Sequence, residues 1–344
     1  MISIKSFFYN SMSKTIQIPS GYLSLSKLNT FNELLENNLT ETELLIDLTA
    51  IGFCEPQTIL CLAVLLRDFD QKRNNLNTTI FIEPNSDVIG YLAHIGFFDF
   101  IGAEFGEKIG SSNSTDSYIP IRKIEKKELL KQSFETGQTL QDLIQEEAAH
   151  LARVLVGQNL SHSQQAYLTI AYSIRETIRN ALEHSEVDVC YVCGQRWKNN
   201  KAQIAVIDEG IGIYQSLINA DIDVNTDDFL VKALEAGLSR TTNLEERLNV
   251  HGNSGFGLYV LSHLAKNYGR MVLSSSYKTR VIKRNTADIE RLNSLRGTCI
   301  SIEFSMYPNN IEDVIAMIAD SGEEEAREAG REIKASSRSR SVTI

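Results

Sequence analysis

The sequence predicts an α/β protein of two units joined by a polar connector. Three observations carry this. Strand and helix signals alternate over the first hundred residues. A polar stretch, "GEKIGSSNSTDSY" (106–118), breaks the pattern. A second run of strands and amphipathic helices starts near residue 160, in a chain of 344 residues, long enough for two ordinary domains. The boundaries read from this are 1–105 for the first α/β unit, 106–158 for the connector, 159–308 for the second unit, and 309–344 for a helical tail.

In the first unit, "SGYLSLS" predicts a short strand, and "TELLIDLTAIGF" a strand over Leu44 to Leu48. "PQTILCLAVLLRDFDQKRNN" predicts a helix with Leu60, Val64 and Leu65 on one stripe and Arg67, Lys72 and Arg73 toward its end. "TTIFIEP" is a strand of β-formers stopped by Pro84, and "SDVIGYLAHIGFFDFIG" a helix ending near Gly96. Strand–helix alternation of this kind predicts a layered α/β unit. The connector continues into mostly helical sequence. The second unit reads as a long helix, strands 187–193 and 202–207, a glycine turn, helices, and strands 271–276 and 298–304. The last stretch, "SGEEEAREAGREIKASSRSRSVTI", is poor in apolar residues, and its five acidic and five basic side chains cancel. It predicts a frayed helix and a mobile, partly disordered end.

Net charge bounds the partners. At −10, from 44 acidic and 34 basic side chains, the chain lacks the positive field that a nucleic-acid duplex demands. No run approaches the roughly 20 apolar residues of a membrane span, and the first residues carry no cleavage-site pattern. Five scattered cysteines predict free thiols in a reducing cytoplasm. Cys190 and Cys193 form C-x-x-C, but on a strand three residues apart they face opposite ways. His150 and His162 are too far apart for a metal pair. "KTRVIKRN" (278–285) reads as a solvated basic arm.

Four stretches can carry chemistry. In "SIRETIRNALEHSE" (173–186), Ala171, Ile174, Ile178, Ala181 and Leu182 form the apolar stripe of a helix. Glu176 and Asn180, at i and i+4, share another side, with His184 one turn on. A carboxylate beside a carboxamide suits orientation of a water and ligation of magnesium; a solvated polar face is the plainer reading. In "AQIAVIDEGIGI" (202–213), a buried strand ends at Asp208, then Gly210 and Gly212 follow. Asp208 can accept from an exocyclic amine, and glycines let backbone approach a flat ring; an ordinary strand-to-turn junction fits as well. In "HGNSGFGLYVLSHLAKNYG" (251–269), Gly252, Gly255 and Gly257 feed a helix at Leu258, a geometry suited to phosphate. Neither the Walker pattern nor a full Rossmann loop is present. In "RGTCISIEF" (296–304), Thr298 opens a strand where its hydroxyl can reach a bound base.

The order E-x-x-x-N-A-x-x-H, D-x-G-x-G, a glycine lid ending G-x-G-L, then G-T before a strand resembles the GHKL ATP-binding superfamily of gyrase, ninety-kilodalton heat-shock chaperones, histidine kinases and MutL-type proteins. The nearest likeness is to serine kinases of the anti-sigma factor type. The resemblance spans roughly residues 160 to 306. It implies a Bergerat α/β sandwich, ATP and Mg2+ as ligands, and either an ATPase or a serine/threonine protein kinase. It implies Glu176 as base or water-positioning group, also near the metal through water. Asn180 would be the magnesium ligand and Asp208 the adenine acceptor. Gly210 and Gly212 would shape the base pocket, and Gly252, Gly255, Gly257 and Leu258 the lid. Thr298 would support the adenine side, and His184 matches a frequent residue of its box, though a helix-end cation is equally served there. A lid spanning 226 to 257 could instead drive a non-catalytic switch that presents a surface to a protein partner. Residues 14–105 resemble a STAS domain, the fold of anti-sigma factor antagonists. The place of its phosphorylated serine reads Phe53-Cys54-Glu55-Pro56-Gln57, which has no serine. A STAS-like protein partner and a homodimer are the assemblies this resemblance suggests.

Overall fold

The computed structural model describes residues 2–6, 14–74, 76–112, 117–157, 164–199, 201–225, 227, 229–238, 254–284 and 286–342, for 286–294 the backbone only. The first unit contains β1 (Ile2–Lys5), β2 (Lys14–Gln17), β3 (Gly21–Leu23), α1 (Leu25–Glu36), β4 (Glu43–Asp47), β5 (Ile51–Cys54), α2 (Pro56–Lys72), β6 (Asn77–Phe81), α3 (Asp87–His94) and α4 (Phe97–Phe100). Four strands form a parallel sheet in the order β1-β6-β4-β2, and β3 and β5 pair separately, also in parallel. Ser24 caps α1 by accepting from the Lys27 N–H at 3.3 Å. Pro56 starts α2, where a missing N–H costs nothing.

The second unit follows as β7 (Tyr118–Glu125), α5 (Lys126–Thr136), α6 (Leu140–Val156), α7 (Gln164–His184), β8 (Val189–Arg196), β9 (Ala202–Asp208), α8 (Gly212–Ile218), α9 (Phe229–Lys232), α10 (Gly257–Tyr268), β10 (Gly269–Lys283), β11 (Thr286–Phe304), α11 (Ile311–Glu328) and α12 (Ser337–Arg340). Its sheet is antiparallel throughout, in the order β10-β11-β9-β8-β7. The chain is therefore a mixed α/β protein with one parallel and one antiparallel main sheet. Among the described residues no helix is long and apolar enough to cross a membrane.

Three features depart from the sequence reading. The connector is not separate: β7 pairs with β8 and supplies an edge strand, and Leu151 and Leu155 of α6 join the core with Ile170 and Ile174 of α7. β7 lacks the alternation that marks a strand in sequence: Ile119, Pro120 and Ile121 are buried in succession, and Arg122 and Lys123 follow. Second, α2 shows no single apolar stripe. Every residue from Pro56 to Leu66 is buried, because the helix lies between its own sheet and the antiparallel sheet, and both sides need apolar surface. Third, the C-terminal stretch is ordered. Ile311, Ile315 and Ala319 of α11 enter the core, and Ala335 and Val342 follow them. Its charges pair within it and beyond it: Arg340 reaches Asp320 at 2.7 Å and Glu323 at 2.6 Å, and Arg331 reaches Glu235 at 3.1 Å.

The same two-sided burial explains β9, whose seven residues are all buried. Ala202, Ile204 and Val206 face the core of α7, while Ala205 and Ile207 face the core that contains α2. Cys190 and Cys193 on β8 likewise divide between the two cores, as strand alternation requires. Polar ties cross the junction. Arg270 of β10 meets Glu55 at 2.8 Å, and Arg67 of α2 pairs with Glu209, directly after β9.

Candidate functional site

α7 forms one wall of a cleft that encloses about 960 Å³ including its open mouth. Ile170, Ile174, Ile178 and Leu182 anchor the helix in the core, which turns Glu176 and Asn180 toward the cleft. Glu176 is only 3% exposed. Its Oε1 accepts from Arg175 Nε at 2.9 Å, and Arg179 Nη1 lies 3.4 Å from both oxygens. A buried carboxylate without such partners would cost several kcal/mol, of the order of 3–5. Arg179 also pairs with Glu183 at 3.4 Å, so acids and guanidiniums alternate along this face. Asn180 Nδ2 donates to the Glu176 carbonyl at 2.8 Å, which leaves Oδ1 as its remaining acceptor. Half-buried His184 also lines the cleft.

The far end of the cleft is built where β9 stops. Asp208 shares the parity of Ala202, Ile204 and Val206, so its side chain projects to the α7 side. It is 4% exposed. Burial pushes its carboxyl up to about 7, against the opposing pull of the Gly210 and Thr298 backbone N–H groups. Gly210 N–H donates to Oδ1 at 2.9 Å. Gly210 itself packs on the end of α7 instead of lining the cleft: a Cβ there would run into the Ser185 carbonyl, which accepts from Ile211 N–H at 2.9 Å. Gly212 lines the cleft at φ +76°, a left-handed conformation natural to glycine. Thr298 stands opposite Asp208 in the β9–β11 register and also lines the cleft. Its hydroxyl is 3.1 Å from Ser275 Oγ, which accepts from Ile213 N–H at 2.8 Å.

Ser185, just past the end of α7, is nine positions after Glu176, which at 1.5 Å per residue is about 13 Å along the helix axis; Asn180 lies about 7.5 Å from it on the same measure. At the Glu176 end, Gly257 opens α10. A Cβ there would sit 2.8 Å from Glu176 Oε2 and 3.7 Å from Asn180 Nδ2. The N-cap residue, Phe256, makes no side-chain hydrogen bond to this helix, and helix starts of this kind present first-turn N–H groups. Gly255 and Leu258 line the same end. Gly252 and most of the expected lid lie outside the described residues. Among the described residues no cluster of three or more His, Cys, Asp or Glu side chains gathers as a metal site. All five cysteines are free and buried, and burial pushes the Cys193 thiol up to about 12, far from the thiolate that a metal requires.

Four contributors escaped the sequence reading. Arg175 and Arg179 stand at i−1 and i+3 from Glu176, a spacing visible in "SIRETIRNALEH" but equally common on solvated helices. Ser275 depends on a strand register that no local pattern gives. Ser339 lines the cleft from the C-terminal segment, 3.4 Å from Ser254 by their hydroxyls; its composition pointed away from order.

In comparisons with known proteins, no family model, no curated protein and no solved structure matches this chain.

Proposed function

We propose that the cleft binds ATP with magnesium and directs its terminal phosphoryl group to a protein hydroxyl or to water, in a regulatory role. The observation that carries this is one cleft lined by the buried carboxyl of Asp208, near the end of α7, and by Asn180 and Glu176 earlier on that helix, beside the start of α10. That arrangement suits a base at the Asp208 end and a triphosphate at the Glu176 end. The likeness of the four motifs to the GHKL superfamily points the same way.

The residues present fit such a ligand. Asp208 offers a fixed acceptor for an exocyclic amine, with Thr298 beside it. The N–H groups at the start of α10 suit phosphate. Asn180 Oδ1 is a neutral oxygen for magnesium, whose remaining ligands would be phosphate oxygens and water. When bound, ATP supplies the electrophilic phosphorus and magnesium spreads its charge. Glu176 turns Oε2 toward Gly257, where it orients the attacking hydroxyl and takes its proton. Gly257 leaves that oxygen room. The first unit, with its STAS-like pattern, serves in this reading as a resident regulatory module, tied to the base end through Arg67 and Glu209.

One observation favours a second reading, a nucleotide-driven switch without turnover: both oxygens of Glu176 lie within reach of guanidiniums. Calorimetry with ATP, ADP and adenosine, with and without magnesium, tests binding. Labelled phosphate release and transfer then separate enzyme from switch. Absence of magnesium-dependent ATP binding defeats both readings.

A further inference from the structure

We propose that Ser339 is a phosphoacceptor in cis: the C-terminal segment presents its own hydroxyl to the reactive end of the cleft. This rests on the nucleotide reading above and names the hydroxyl that receives the phosphoryl group.

The segment is held by the same helix that carries Glu176. Tyr172, one turn before Glu176, donates its hydroxyl to the Ser339 carbonyl at 3.0 Å. Arg175 Nη2 donates to the carbonyls of Arg338 at 2.7 Å and Ser341 at 3.1 Å. The backbone is thus pinned at Ser339 and on both sides of it. Arg175 is also the residue whose Nε holds Glu176 Oε1 at 2.9 Å. One guanidinium therefore fixes the acceptor segment and the carboxylate together. From the other side, Arg340 is tied to Asp320 and Glu323 of α11.

Among Ser336, Ser337, Ser339 and Ser341, Ser339 is the one that lines the cleft. Ser337 is exposed, and Ser336 caps α12 by accepting from the Ser339 N–H. The Ser339 hydroxyl lies 3.0 Å from Ser336 Oγ and 3.4 Å from Ser254 Oγ, just ahead of Gly255 and Gly257. A serine side chain buried at a cleft, with its backbone clamped from α7, is positioned as a substrate is positioned.

The transfer balances with ATP as co-substrate. Ser339 Oγ forms a bond to the terminal phosphorus, and the bond from that phosphorus to the bridging oxygen breaks. The electron pair leaves with ADP. The hydroxyl proton passes to Glu176 Oε2 and on to solvent. The products are phosphoserine and ADP.

The test uses the full chain. Calorimetry with a non-hydrolysable ATP analogue and magnesium comes first; lack of binding refutes the nucleotide reading and this inference with it. Where binding is present, the protein is incubated with ATP and magnesium and its phosphosites are mapped by mass spectrometry. The expected result is phosphate on residue 339, lost in Ser339→Ala, regained as phosphothreonine in Ser339→Thr, and retained in Ser337→Ala. The rate per chain should not change with protein concentration. A tagged Glu176→Gln chain mixed with the native protein should stay unlabelled on the timescale of native labelling. Binding without phosphate at residue 339, labelling of Ser339→Ala at the native level, or transfer to the tagged chain overturns the inference and leaves the nucleotide reading standing.

Discussion

Replacing Asp208 by Asn should stabilise the nucleotide-free protein at neutral and alkaline pH while it weakens nucleotide binding. Burial raises the Asp208 carboxyl to about 7 in the folded chain, whereas an unfolded aspartate titrates near 3.9. Between those values the folded state holds a proton that the unfolded state has lost, so stability falls as pH rises from about 4 and levels off above about 7. At about 1.36 kcal/mol per pH unit the full cost is of the order of 4 kcal/mol, and about 2–3 kcal/mol of it develops between pH 5 and pH 8. Asn keeps an oxygen for the Gly210 N–H and never ionises. The assay is urea unfolding of both proteins across that pH range in the absence of nucleotide. The stability difference between Asn and Asp should grow in favour of Asn by about 2–3 kcal/mol from pH 5 to pH 8. A difference that stays flat with pH would refute the argument that an uncompensated buried charge sits there. On the same samples, ATP affinity at pH 8 should drop about tenfold or more, the equivalent of about 1.4 kcal/mol, because a carboxamide can turn its NH2 toward the base amine. Unchanged affinity would remove Asp208 from the base site even if the stability result held.

Gly257→Val places a side chain against Glu176 Oε2, where even a Cβ would stand at 2.8 Å; ATP binding should fall more than adenosine binding, and equal losses would mean the two ends of the cleft are not distinct. Glu176→Gln keeps the shape between Arg175 and Arg179 and should leave ATP affinity nearly unchanged while phosphoryl transfer drops by about 10²–10⁴-fold; normal turnover would show that another group takes the proton. Glu176→Ala is the poorer probe, since it removes the carboxylate from between two buried guanidiniums and should cost about 3–5 kcal/mol in unfolding experiments. Asn180→Ala should reduce the magnesium-dependent part of ATP binding and spare the metal-independent part; a calorimetric titration showing both intact would take Asn180 out of the metal site.

Local pattern carried much of this protein. The periodicity of residues 170–182 announced α7 and placed Glu176 and Asn180 on its free side, because a helix repeats its faces every 3.6 residues whatever it packs against. Strand alternation likewise separated Cys190 from Cys193. The run ending at Asp208 marked a buried strand and the point where its chain must turn. Those properties belong to short stretches, and neighbours in sequence are enough to define them.

What lay beyond sequence depends on which surfaces meet. Nothing local tells whether an apolar helix such as α2 serves one core or two; the antiparallel sheet behind it decides. The Asp208 carboxyl sits near 7 instead of near 4 only because β8, β11 and α7 together exclude water from it, and desolvation is a property of the assembled neighbourhood. A solvated polar face was the plainer reading of Glu176 in sequence, but at 3% exposure it is a buried carboxylate paired with Arg175 and Arg179. The C-terminal segment shows the limit most clearly. Its composition promised a solvated end, and composition measures only how much apolar surface a segment can bury alone. Ser339 and its neighbours gain their order from donors that other parts of the chain supply, Tyr172 and Arg175 on α7, and those partners come together only when residues more than 160 positions apart are folded into contact.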